Sequence, residues 1–343
     1  MKRLIASAAL GLLTLIAPAY ADGPKSVALF INGTLGDKSF FDSAQRGMDR
    51  LQSELGLETR TVEAGWDPTR WEAGLIDLAD SGEYDTIITG TFTMVDYVER
   101  ISAEYPDIKF MLFDGIVNYE KCGCVNVHSI LFKQNEASYL AGALAATLTI
   151  SEGPGRNPDK VLGFLGGMEI PVIKDFLVGY TAGAQSVLPD VTVLGQYANN
   201  FADPAVGKEI ALAQYGQNAD IVFAVAGGTG QGALEAAVDQ GKIAIGVDSD
   251  QSAIYADSNP AISKAIVTSV LKNVDNALVN AMTRYKNGEE IFGTPDAQGL
   301  ATGGVGLAIN DVTRSYVSPE TLAMIDDLTK KIIDGTIKVP TAF

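Results

Sequence analysis

The 343-residue chain is poor in the side chains most often used for catalysis and metal binding. It has one histidine, His128, and two cysteines, Cys122 and Cys124. A single imidazole cannot make a His-based acid–base pair. Cys122, Cys124 and His128 together lack an evident fourth ligand for a structural zinc. There is no Gly-x-Ser-x-Gly nucleophile elbow, no Walker phosphate loop and no dense aspartate cluster near the N-terminus. Positive charge is also scarce, with 25 Lys and Arg against 42 Asp and Glu, a net of −17. So acidic a surface repels phosphate backbones and argues against nucleic-acid binding. No cofactor is implied.

Long apolar runs are missing too, apart from the one at the N-terminus. Lys2 and Arg3 precede an apolar stretch over 4–16, and Ala19-Tyr20-Ala21 follows. That is the pattern of a cleaved signal peptide, here residues 1–21. The stretch is short of the roughly 20 residues that a membrane span needs. Asp22, not cysteine, follows the cleavage point, so no lipid anchor is expected and the periplasm is the expected compartment. Loss of Lys2 and Arg3 takes the charge to −19. An oxidising compartment permits a Cys122–Cys124 disulfide, although a bridge from i to i+2 closes a very small ring. Either redox state is compatible with the sequence.

What remains, about 320 residues, suits two domains better than one core. Short apolar strands alternate with helical spacing throughout. Strands are expected at 26–31, 58–63, 86–89, 109–113 and 125–130, and helices at 39–55, 68–80, 94–104 and 135–148. Ser39 reads as an N-cap with Asp42 in a capping-box-like position, and Gly56 as the residue that ends the first helix. After the break at 153–158 a second series begins. Its strands fall at 161–165, 192–197, 221–226 and 244–247, with helices at 172–188, 205–215 and 231–240. The fold class is therefore α/β, with two doubly wound parallel-sheet lobes.

Open parallel sheets bind ligands beyond the carboxyl ends of their strands. Applied here, the rule selects residues 32–41, 64–67, 90–94 and 114–119 in one lobe. In the other it selects 166–171, 198–203, 227–231 and 248–252. These loops carry Phe40, Phe41, Trp66, Phe92, Tyr119 and Phe201 as flat faces, and Asp37, Asp114 and Asp248 as acceptors. Gly227, Gly228 and Gly230 allow close backbone approach. Aromatic faces with hydroxyl-accepting carboxylates suit a planar heterocycle that bears a sugar.

At these residues the sequence resembles the basic membrane protein (PnrA-like) family of purine-nucleoside-binding proteins of ABC transporters. The matching pieces, in family order, are Asp37-Lys38-Ser39-Phe40, Phe164-Leu165-Gly166-Gly167, Phe201-Ala202-Asp203-Pro204, Ala226-Gly227-Gly228, Gly246-Val247-Asp248-Ser249-Asp250-Gln251, and Thr268 through Asp275. The resemblance implies a type I periplasmic-binding-protein-like fold with a multi-segment hinge. It implies Phe40 and Phe201 on the two faces of a purine, Asp37 and Asp114 near the ligand, Asp248 on ribose hydroxyls, Lys272 at the sugar end, and backbone contact at Gly227. Trp66 is a further candidate for shaping the pocket. Where many relatives have Asn after the Asp-x-Ser-Phe motif, this chain has Phe41, either a third pocket aromatic or a core residue. The lobes are expected at 26–131 plus 265–292 and at 132–264 plus 293–343. A monomer that closes on its ligand and docks to an inner-membrane permease with a separate ATPase is the implied mode of action. A sugar-binding protein, a ligand sensor for a membrane receptor, and an exported nucleoside-processing enzyme with a metal on Asp37, Asp248 and Asp250 are the competing expectations.

Overall fold

The computed structural model describes residues 24–343; the expected signal peptide and its cleavage site lie outside the described residues. The chain runs β1 (Ser26–Ile31), α1 (Phe40–Leu55), β2 (Glu58–Glu63), α2 (Trp71–Asp80), β3 (Thr86–Gly90), α3 (Val95–Glu104), β4 (Lys109–Phe113), α4 (Tyr119–Cys122), β5 (Val127–Phe132) and α5 (Gln134–Thr149). It continues with β6 (Val161–Gly166), α6 (Pro171–Val187), β7 (Thr192–Tyr197), α7 (Pro204–Gly216), β8 (Ala219–Val225), α8 (Gly227–Gln240), β9 (Ile243–Asp248), α9 (Gln251–Tyr255) and α10 (Pro260–Ala265). The last part is β10 (Ile266–Lys272), α11 (Val274–Lys286), β11 (Thr294–Gln298), β12 (Val305–Leu307), α12 (Asp311–Tyr316) and α13 (Pro319–Ile333).

The strands form two six-stranded sheets, in the orders β11-β5-β4-β3-β1-β2 and β12-β10-β9-β8-β6-β7. All neighbours pair in parallel except β12, which lies antiparallel on the edge beside β10. Each sheet reverses its strand order once, between β1 and β3 in the first and between β6 and β8 in the second. Such reversals open a crevice at the carboxyl ends of the two strands.

The sheets divide the C-terminal third differently from the expected boundaries. Residues 265–292 are expected in the first lobe; α11 does pack on α1 there, but β10 pairs with β9 in the second sheet. Residues 293–343 are expected in the second; β12 does pair with β10 there, but β11 pairs with β5 in the first. β10 is a buried apolar strand and β11 a polar edge strand, and which sheet either joins depends on pairing that no local pattern encodes. The chain thus crosses between lobes after β5, after β10 and after β11. Hydrogen bonds tie the crossings together: Lys133 N–H donates to Gln298 O (2.8 Å), Asn273 N–H to Gly304 O (2.9 Å), and Leu300 N–H to the Glu136 carboxylate Oε2 (2.9 Å).

Two other expectations move. β5 begins two residues late because Val125 is held in a turn, its N–H on Gly123 O (2.7 Å), next to the bonded Cys122–Cys124 pair. α8 begins four residues early, so the glycines expected in a loop form its first turn. His128 is buried on β5, with Nδ1 2.9 Å from Thr294 O of β11 and Nε2 3.4 Å from Asp296. Burial holds its pKa below the ordinary value. Among the described residues no helix is long and apolar enough to cross a membrane.

Helices α5 and α6 pack at backbone distance on a stripe of glycine. A Cβ at Gly142 would fall 2.0 Å from Tyr180 O, and one at Gly183 would fall 1.9 Å from Tyr139 O. Gly183→Ala should therefore destabilise the protein by roughly 1–3 kcal/mol through overpacking, despite a helix-propensity gain of about 1 kcal/mol. Gly216, at the end of α7, has nothing within 4 Å of a built Cβ. Gly216→Ala is the control, and a thermal melt in which both variants match the wild type would refute the close-packing argument.

Candidate ligand cleft

The loop from β1 into α1 is shaped by two carboxylates. Asp37 Oδ1 accepts the N–H groups of Ser39 (2.9 Å) and Asp42 (3.2 Å), and Oδ2 accepts that of Phe41 (2.9 Å). Burial raises its pKa and these three donors oppose the rise, as at any helix N-terminus that stabilises an anion. Asp42 accepts from Gly36 N–H (2.7 Å) and Lys38 N–H (2.9 Å). The expected Ser39 capping box does not form. Asp37 does the capping, and the Ser39 hydroxyl is turned outward to Asp248 Oδ2 on the opposite lobe.

That contact belongs to a set bridging the lobes. Ser249 Oγ donates to Ser39 O (3.0 Å), Gln251 Nε2 to Lys38 O (3.2 Å) and Gln231 Nε2 to Gly36 O (3.0 Å). Arg46 reaches Ser249 Oγ at 2.8 Å. All but the Arg46 bond act on the few residues leading into α1, so the first-lobe loop is read by β9, α8 and α9 of the second.

Asp248 ends β9 in a left-handed conformation, φ 62°, and Asp114 follows β4 at φ 59°. Non-glycine residues seldom hold such angles, and those that do concentrate at functional sites. Lys272 ends β10, buried, with Nζ 2.7 Å from Asp114 Oδ1. Three rings surround that ammonium, Phe176 at 5.1 Å, Phe40 at 5.5 Å and Phe132 at 5.6 Å from their centroids. This is cation–π geometry. Phe40, Asp114, Asp248 and Lys272 are thus brought together. Phe132 and Phe176 are additions that sequence reasoning missed. Phe132 lay beyond the expected end of its strand, and Phe176 reads as one more core position on a helix.

The remaining candidates divide. Phe41 is 4% exposed and sits in the core, its ring against Gly33 and 6.0 Å from Trp66. It is the core residue of the two possibilities. Trp66 is 42% exposed on the rim. Tyr119 is tied to Ser129 by its hydroxyl (2.9 Å). Phe201 lies at the second lobe's crevice. A Cβ at Gly167 would meet its ring at 2.2 Å, and its carbonyl accepts Thr229 N–H (3.1 Å). Gly227, at φ 52°, leaves its own Cβ position 3.8 Å from the same ring. Asp250 caps α9 through Ala253 N–H and takes Asn310 Nδ2 at 3.0 Å. Among the described residues no group of His, Cys, Asp and Glu is arranged to hold a metal.

Residues 24–342 match the Bmp family model, described as ABC transporter substrate-binding protein PnrA-like. The chain is 32% identical to the CD4+ T-cell-stimulating antigen of Listeria monocytogenes, over 90% of this chain and 85% of that protein. It is 30% identical to the ABC transporter nucleoside-binding protein BmpA of Lactococcus lactis, over 90% and 86%. Among solved structures, an ABC transporter solute-binding protein from Aeropyrum pernix superposes with a TM-score of 0.79 at 28% identity, covering 92% of this chain and 94% of that one. A periplasmic solute-binding protein from Actinobacillus succinogenes with bound D-allose shares the fold, at TM-score 0.60 and 15% identity, over 85% and 100%.

The electrostatics of the cleft make a pH prediction. Asp248 is raised from 3.8 to about 7, chiefly by burial; Lys272 and the Ser39 hydroxyl oppose this, and Asp37 and Asp114 add to it. The folded protein therefore binds this proton more tightly than the unfolded chain does. The associated stability is complete below about pH 4 and is lost as pH rises through about 7. Asp248→Asn removes that loss. Melting temperatures of variant and wild type should diverge in the variant's favour between pH 5 and pH 8, by roughly 2 °C or more. A constant difference across that range would contradict the burial argument.

Proposed function

The chain belongs to the PnrA-like (Bmp) family of ABC transporter substrate-binding proteins, and on that premise we propose that it captures a purine nucleoside between its lobes for uptake. The observation that carries the reading is the convergence of Phe40, Asp248 and Lys272 at the facing ends of the two sheets. A phenyl ring offers a stacking face, the carboxylate accepts from sugar hydroxyls and the ammonium donates to sugar oxygens. Phe201, on the second lobe's crevice, supplies the opposing ring. The name of the L. lactis relative, a nucleoside-binding protein, supports the same ligand class.

The mode of action is binding without turnover. The sole imidazole is occupied between β5 and β11 and does not line the cleft. A ligand that touches both lobes favours the closed arrangement by its differential affinity. The closed form then docks on a permease in the inner membrane, driven by a separate ATPase. The protein works as a periplasmic monomer, released from its signal peptide.

Calorimetry with adenosine, guanosine, inosine, uridine and ribose tests this directly. Purine nucleosides should bind and ribose alone should bind far more weakly; tight ribose binding with no nucleoside response would sink the proposal. Phe201→Ala should weaken purine nucleoside binding tenfold or more, given stacking energies of roughly 1–3 kcal/mol per base. Asp248→Ala should reduce affinity for the nucleoside far more than for the free base. Equal losses would remove Asp248 from the sugar.

A further inference from the structure

Asn32 is the first residue beyond β1, and Thr91 and Thr93 follow β3. These are the two strands between which the first sheet reverses its order, the position where an open α/β sheet offers its crevice. The amino group of Asn32 donates to Thr91 Oγ1 and to Thr93 Oγ1, both at 2.9 Å. The two hydroxyls are themselves bonded at 2.7 Å. That bond uses one of their two protons, leaving a pair of acceptors toward the amide, which is why the amino end faces them. The other end of the amide, Oδ1, is buried and has no hydrogen-bond partner, and the residue as a whole is only 3% exposed. A buried amide oxygen without a donor is costly, and such groups are rare in folded proteins.

The backbone here is arranged for more than packing. Thr91 holds φ 76°, a left-handed value that a β-branched residue adopts only under constraint. Its N–H donates to Phe113 O at 2.9 Å. Phe113 is the ring against which Phe40 leans, with centroids 5.3 Å apart. Asn32 and the proposed stacking ring are thus connected through Thr91 and Phe113. Phe41, the residue after Phe40, is buried against Gly33 and Trp66. The edge of a stacked base is left without a reader from that position.

We infer that Asn32, oriented by Thr91 and Thr93, reads the edge of the bound base by accepting a hydrogen bond from one of its N–H groups. This assignment rests on the nucleoside reading above. It makes the site selective for bases that carry a donor, because a base without one leaves Oδ1 unpaired in the closed cleft.

The test compares adenosine and inosine with purine riboside, which keeps the ring system and the sugar but has no N–H on the base. Calorimetry on the wild type should give at least tenfold tighter binding for whichever of the first two binds better. Asn32→Leu should remove most of that difference while retaining purine riboside affinity. Asn32→Asp, which keeps an acceptor in place, should retain the discrimination and covers the case in which the leucine variant does not fold. Wild-type protein that binds all three equally would overturn the assignment of Asn32 and leave the nucleoside reading standing. A gap that persists in a folded Asn32→Leu protein would do the same. Failure of all three ligands to bind the wild type would overturn both.

Discussion

A buried lysine and the carboxylates around it govern how the two lobes can meet. Lys272 comes from the second sheet, and the Asp114 it pairs with comes from the first. Taking both out of water costs several kcal/mol, which their attraction repays only when the geometry is good and the remaining polar groups are satisfied. Three rings crowd the ammonium and fix where it can point. Asp248, close enough to feel Lys272, Asp37 and Asp114 together, is the group on which these influences collide. The lobes are therefore in register only when the charges are. The Ser39 contact and the glutamine bridges to residues 36–38 follow from that register.

Most of the architecture was legible in the sequence because short apolar strands and amphipathic helices announce themselves by period. The strands at 58–63, 109–113 and 192–197 fall where the pattern puts them. Pairing was not legible. Ile266–Lys272 falls in a segment expected in the first lobe, and the structure pairs it with β9 in the second sheet. The same limit hid Phe132 and Phe176, whose proximity to Lys272 arises from three separate segments. Ser39 shows the opposite error. Its local pattern predicts a helix cap, but a carboxylate 209 positions away competes for the hydroxyl and wins it.

Loop positions fared better than loop roles. The strand-end rule drew attention to the residues after β1, β3, β4 and β9, a consequence of sheet topology alone. It did not distinguish a side chain that faces the crevice from one that props up the loop. Asp37 and Phe41 are of the second kind, one engaged by three N–H groups and the other buried in the core. Asn32, with an ordinary turn sequence around it, carries no local sign of its unpaired oxygen.

The three linked crossings have a mechanical consequence. A single connecting strand would let the halves swivel about it like a door on one pin. Strands fastened to one another at Lys133–Gln298 and Asn273–Gly304 behave as a broad strap. In the proposed closure they resist twist and slide more than one connection would. A guest too bulky for the jaws thus blocks that closure, and the gap it props open is widest at the rim, farthest from the strap.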